Sequence, residues 1–179
     1  MNKIFELTES QRARILDEMK KFLVNAEFPI IKEGCDGPFS FIDTEFLHAS
    51  CGVPFRILLD THENTVCISL AYGVIPSGKR RLVSELISHL NMLMVVNRFL
   101  LTPDYHVLNF TMGYWLAGEK FDGRQFGISF HRLLLDYSKY TPLIAELLTT
   151  NNYPRQIMEK YLGDELKEGM CAVPREKMH

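Results

Sequence analysis

The side chains able to do chemistry are few and scattered. Histidines stand at His48, His62, His89, His106, His131 and His179, and none forms the H-x-x-x-H or H-E-x-x-H pair that sets two imidazoles around zinc on one helix face. Cys35, Cys51, Cys67 and Cys171 contain no C-x-x-C pair, so a structural zinc lacks its paired ligands. In a reducing compartment these are expected to be free thiols. Cys67 falls inside an apolar strand pattern and reads as a small packing residue. Cys51 with His48 is the nearest approach to a nucleophile–base dyad, but Ser50-Cys51-Gly52 lacks the strand-to-helix elbow of G-x-S-x-G hydrolases. Glu85 and His89 lie one helical turn apart, a spacing that suits surface pairing better than acid–base work. No Gly-rich phosphate loop joins a strand to a helix. The expectation is no catalytic residue, no metal and no cofactor.

The elements that carry these residues are legible from hydrophobic period and turn chemistry. Thr8-Glu9-Ser10-Gln11 fits the S/T-x-x-E/Q capping box, and Ile15, Met19, Phe22, Leu23 and Ala26 follow at helical spacing. Phe28-Pro29 ends that helix. Residues 32–52 carry little pattern beyond one candidate strand over Phe39–Leu47. Phe55, Ile57 and Leu59, then Val66, Ile68, Leu70, Tyr72 and Val74, alternate on either side of the polar run Asp60–Asn64, which predicts a β-hairpin. Ser77 is a candidate cap for a helix from about Lys79 to Val96. That helix's first turn carries Lys79, Arg80 and Arg81, read either as a solvated turn or as a patch for an acidic partner. A second hairpin runs Phe99–Thr102, Pro103-Asp104, Tyr105–Leu116. Ala117–Gly123 reads as loop, and Phe126, Phe130, Leu133, Leu134 and Tyr137 give a third long helix. Thr141-Pro142 predicts a new short helix through Leu148, and a last helix starts at Asn152-Tyr153-Pro154 and closes at Gly163.

Strands arriving as antiparallel hairpins imply an α+β fold, an antiparallel sheet built from two hairpins with helices packed on one face. Residues 1–162 form one domain in this reading, and residues 163–179 a charged, mobile tail. The chain's 179 residues, 46% hydrophobic, suffice to bury roughly 70% of the unfolded surface without staples. A net charge of −2 argues against an overall field that grips nucleic acid. Met1–Glu6 leads into no apolar signal segment, and the longest uncharged stretches fall short of the roughly 18 residues of a membrane span. The expectation is a cytoplasmic protein with neither nucleic acid nor membrane as partner.

Leu90-Asn91-x-Leu93 with Asn97, then Phe99-Leu100-Leu101, a turn, and Val107-Leu108-Asn109-Phe110 resemble the YbjN-like family. Tyr72-Gly73-Val74-Ile75-Pro76 and Tyr140-Thr141-Pro142-Leu143-Ile144 resemble it too, so the likeness covers about residues 53–150. That resemblance implies the fold of type III secretion chaperones: α+β proteins, commonly homodimers, that bind partner polypeptides and have no active site.

The two sheet faces differ sharply. One face of each long strand is apolar and belongs under helices. The other is small: Cys67, Ser69, Ala71 and Gly73 on one strand, Asn109, Thr111 and Gly113 on the next, with Trp115 among them. This face is either solvated, with Trp115 folded over the glycines, or a docking platform for a second subunit or a client peptide. In the second reading Trp115, Gly113, Thr111, Ala71 and Gly73 are the partner-binding residues, since large aromatics anchor interfaces. A different class remains open: a small-molecule sensor or weak enzyme with a pocket where Asn91, Asn97, Asn109 and His131 converge. Against that, asparagines also terminate helices and stabilise turns, the preferred role for Asn97.

Overall fold

The computed structural model describes residues 7–48, 51–102, 106–116 and 121–171, with side chains described as far as Gly163. Helix α1 spans Glu9–Asn25 and opens on the predicted box: the Gln11 amide N–H donates to Thr8 Oγ1 at 3.3 Å, and the Thr8 N–H donates to Gln11 Oε1 at 2.7 Å. Its buried stripe is Ile15, Met19 and Leu23.

Six strands follow the sequence order β1 (Ile30–Asp36), β2 (Phe39–His48), β3 (Cys51–Asp60), β4 (Thr65–Val74), β5 (Asn97–Leu101) and β6 (Val107–Trp115). All neighbours are antiparallel, in the spatial order β1-β2-β3-β4-β6-β5. The α+β class and both predicted hairpins are therefore present. The sheet, however, holds more than two hairpins. The stretch that carried little sequence pattern supplies β1 and β2, which extend the first hairpin into a four-stranded meander. The predicted turn at Pro103-Asp104 lies outside the described residues, as does Ser50.

The helices cover one face. Its side chains include Ile42, Ile57, Ile68, Leu70, Phe99, Phe110 and Met112, all buried with the helices' apolar stripes. Helix α2 spans Arg80–Leu93, ending short of the predicted Val96, and Ser77 opens a 3-10 turn (Ser77–Lys79) rather than capping it. The basic residues of this turn bond backbone: Lys79 Nζ donates to the Thr150 carbonyl, and Arg80 Nε to the Ile75 carbonyl at 3.3 Å. Two of the three charges thus hold backbone carbonyls of the fold.

Helix α3 is continuous over Gly123–Thr149, with Asp122 accepting from the N–H groups of Arg124 and Gln125 as N-cap. Thr141-Pro142 therefore starts no new helix. Pro142 forfeits one intrahelical bond, but Tyr140, Leu143, Ile144 and Leu147 are buried on both sides of it, and that burial outweighs the lost bond. Gly127 lets α3 approach α1 closely; a Cβ there would stand 2.9 Å from the Phe22 ring. Phe22 in turn meets Phe126 and Phe130 edge-on at 5.2 and 5.9 Å. Helix α4 spans Pro154–Cys171, so Gly163 does not close it.

Candidate partner-docking surface

No helix covers the outer face of the sheet among the described residues, and its strand registers set out what it presents. One row across the strands reads Arg98 (β5), Thr111 (β6), Ser69 (β4), Arg56 (β3), Asp43 (β2) and Lys32 (β1). Arg56 and Asp43 form a two-pronged ion pair, Nε to Oδ1 at 2.6 Å and Nη2 to Oδ2 at 2.9 Å. The Arg56 guanidinium, by hydrogen bonding Asp43, holds that carboxyl below the usual carboxylate range; the pair's return effect raises Arg56. Arg56 also lies 4.6 Å over the Phe41 ring, which covers Gly34 on the neighbouring strand.

A shallow groove of about 460 Å3 crosses this face at one end of the sheet. Ile31, Pro54 and Ala71 give it apolar walls; Asp43, Arg56, Ser69 and Asn109 give it polar groups. It forms where the sheet divides. The β3–β4 ladder stops at Phe55↔Leu70, because Pro54 has no N–H to continue it. Beyond that point β4 follows β6 alone.

The five residues expected to bind a partner do not form one cluster. Thr65 faces Trp115 at one end of β4, and Ala71 lies six residues further along, roughly 20 Å away at strand rise. Ala71 lines the groove, whereas Trp115 stands 70% exposed at the far end. Gly113, opposite Cys67, has nothing within 4 Å of where its Cβ would be, so Trp115 does not fold over it. Thr111 is nearly buried and donates to the Arg98 carbonyl at 3.4 Å. Gly73 sits at a β-bulge with φ +140°, which breaks the strand's alternation: Gly73 pairs with Leu108, and Val74 comes to the outer face beside Val107. Sequence patterning does not single out Asp43, Arg56 or Ile31: Arg56 alternates with the apolar Phe55 and Ile57, but its partner Asp43 lies in the stretch that carries little pattern.

The groups that a small-molecule pocket would use point in different directions. Asn91 on α2 donates Nδ2 to the Phe99 carbonyl at 3.0 Å and accepts the Phe99 N–H at 2.7 Å, so its amide seals the middle of edge strand β5. Asn97 is buried at the start of β5 and donates to Asp136 Oδ2 at 2.8 Å; it terminates no helix. Asp136 also receives Arg132 at 3.0 Å. Asn109 faces the groove on the outer side, and His131 is exposed on α3. The His48 imidazole turns toward α3, with Ser138 Oγ at 3.3 Å and the Tyr137 ring at 5.7 Å. Burial pushes the Tyr137 phenol up to about 12 and also raises the Cys67 thiol. Glu85 and His89 are both exposed on α2. Cys35, Cys51 and Cys67 are free; the Cys171 side chain lies outside the described residues. Among the described residues no three His, Cys, Asp or Glu side chains are grouped to hold a metal, and no helix is long and apolar enough to cross a membrane.

No protein-family model matches the sequence, and the search of curated proteins gives no match. Solved structures do match. One is a chain in the crystal structure of the ExsC–ExsE complex, at 12% identity and TM-score 0.51, covering 73% of this chain and 93% of that one. Another is YbjN from E. coli, described as a candidate transcription regulator, at 18% identity and TM-score 0.51, covering 69% of this chain and 85% of that one. The chain thus shares its α+β fold with these two structures, the chaperone-like fold that the YbjN-like resemblance implied.

Proposed function

We propose that this chain is a non-enzymatic protein-binding module, chaperone-like or regulatory, whose outer sheet face receives a partner polypeptide. The observation that carries the reading is the uncovered face itself. Small residues (Ala71, Gly113) leave its backbone approachable, a groove of about 460 Å3 crosses one end, and an exposed Trp115 stands at the other. Aromatics presented this way anchor interfaces, and small neighbours let a second backbone approach. The fold is also that of a chain solved in complex, the ExsC–ExsE structure, which supports a polypeptide as partner. A homodimer is part of the reading, as the resemblance implied.

The test begins with purification of the chain from its native cell and mass spectrometry of what accompanies it. The purified partner is then titrated against the wild type and Ala71→Arg, with emission of the only tryptophan as readout. The reading expects a blue shift of Trp115 on binding and much weaker binding by Ala71→Arg. Equal affinities with an unmoved, water-exposed emission would sink it. Sedimentation of the free chain decides the dimer.

A further inference from the structure

The groove on the outer face gathers polar groups that the fold itself leaves unused. Ser69 and Ala71 are neighbours on one face of β4, about 7 Å apart at strand rise. Asn109 stands opposite Ala71 on β6, and Arg56 opposite Ser69 on β3. The Ser69 hydroxyl and the Asn109 amide are half-buried in the groove wall, and neither has a hydrogen-bond partner among the described residues.

A third unused group is backbone. One step beyond Phe55↔Leu70, the ladder would set Pro54 against Ala71. Pro54 has no N–H to give, so the Ala71 carbonyl loses its donor from β3 at the point where the sheet divides.

The charges at the groove are already spent. Asp43 and Arg56 hold each other through two bonds of 2.6 and 2.9 Å. By register the next carboxylate is Glu45, opposite Pro54, but its Oε2 turns to Gly52, 2.9 Å from where a Cβ would stand. Lys32, across Asp43 on β1, lies 5.8 Å over the Phe41 ring. A charged ligand would lose its water without gaining a free counter-charge. The remaining walls, Ile31 and Pro54, are apolar, and about 460 Å3 lies within the range of small-ligand sites.

We propose that this groove binds a small neutral molecule made of an apolar ring bearing a carboxamide. The ring lies between Ile31 and Pro54. The carboxamide N–H donates to the Ala71 carbonyl, and its oxygen accepts from the Asn109 amide and the Ser69 hydroxyl. A carboxamide carries two donors and an acceptor, which matches a carbonyl without a donor beside an amide and a hydroxyl without partners. The inference stands apart from the polypeptide partner proposed above, because the chain binds this ligand alone.

Heteronuclear NMR of the full chain tests this, with benzamide as the probe. Two controls keep the ring: N,N-dimethylbenzamide, which has no N–H to give, and benzoate, which carries a charge. Benzamide shifts the Ser69 and Ala71 backbone amides and the Asn109 side-chain amide, with a Kd on the order of 1 mM, as suits a fragment of its size. Each control binds about fivefold more weakly or worse. Asn109→Leu weakens benzamide about fivefold, and Ser69→Ala by less. A well-dispersed spectrum and an unchanged Tm show that each variant is folded. Met92→Ser, at an exposed apolar site on α2, leaves binding as it is. Absent shifts at Ser69, Ala71 and Asn109 would overturn the inference. So would equal binding of either control, or benzamide affinities of Asn109→Leu and Ser69→Ala that both match the wild type. Weaker binding in Met92→Ser would put the ligand elsewhere and overturn it too. No polypeptide is present in this experiment, so its failure is distinct from a failure of the partner titration.

Discussion

Replacing Glu27 by glycine should make the protein more stable, against the usual direction of point mutations. The two bonds closing α1 define the site: the Glu27 N–H donates to the Val24 carbonyl at 3.1 Å, and the Phe28 N–H to the Leu23 carbonyl at 2.9 Å. This is the Schellman arrangement, which places one residue in the left-handed region, here Glu27 at φ +61°. An L-residue there gives up about 1–2 kcal/mol relative to the right-handed basin. Glycine removes that cost, but its freer unfolded chain takes back about 0.5–1 kcal/mol. The net gain is about 0.5–1 kcal/mol, or roughly 1–4 °C in Tm for a chain of this size. Losing the carboxylate relieves the helix dipole by a few tenths more. Glu27→Ala separates the two effects. It removes the charge and keeps the strained Cβ, so only the few tenths from the dipole remain. Urea denaturation followed by circular dichroism reads both variants, and an unchanged m-value confirms that Cm reports stability. If Glu27→Ala gains as much as Glu27→Gly, the charge and not the backbone sets the cost. If Glu27→Gly gains nothing, the left-handed strain is absent and the reasoning fails.

Asn91→Ala strips both hydrogen bonds from Phe99 and should cost about 1–3 kcal/mol; it also uncovers the β5 edge, so light scattering should show association absent from the wild type. Asp136→Ala leaves the buried Asn97 amide without its acceptor and should cost about 1–3 kcal/mol in urea denaturation, with Asp136→Asn losing less. The Asp43 carboxyl is held below its ordinary value by Arg56, so its contribution is complete above about pH 4 and is lost as pH falls through the lower folded value. Because both groups are partly exposed, that contribution is only about 0.5–1 kcal/mol. Asp43→Asn should therefore narrow the stability difference between neutral and acid solution by that amount, and an unaltered acid profile would show that the pair contributes nothing.

Local signals carried much of the fold. Thr8 and Gln11 cap α1 wherever the helix packs, because a capping box lies within one turn. Alternation predicted β3, β4 and β6 because one face of each is buried and the other is not. Strand β1 is exposed almost throughout, so no alternation marks it; cross-strand partners such as Thr44 and Phe41 make it a strand. Pro142 reads locally as a helix start, yet burial of Tyr140 and Leu143 to either side carries α3 through it. The candidate surface divides the same way. The sequence determined which residues share the outer face, since period-2 parity is a local property. Tertiary structure alone decided that Trp115 and Ala71 lie at opposite ends, that the bulge removes Gly73 from the alternation, and that Arg56 finds Asp43 across a strand boundary. It alone brought Glu27, just past α1, and Glu45 of β2 to line one pocket. Parity follows from a residue and its neighbours, whereas these juxtapositions depend on register and chain reversal, which only long-range packing sets.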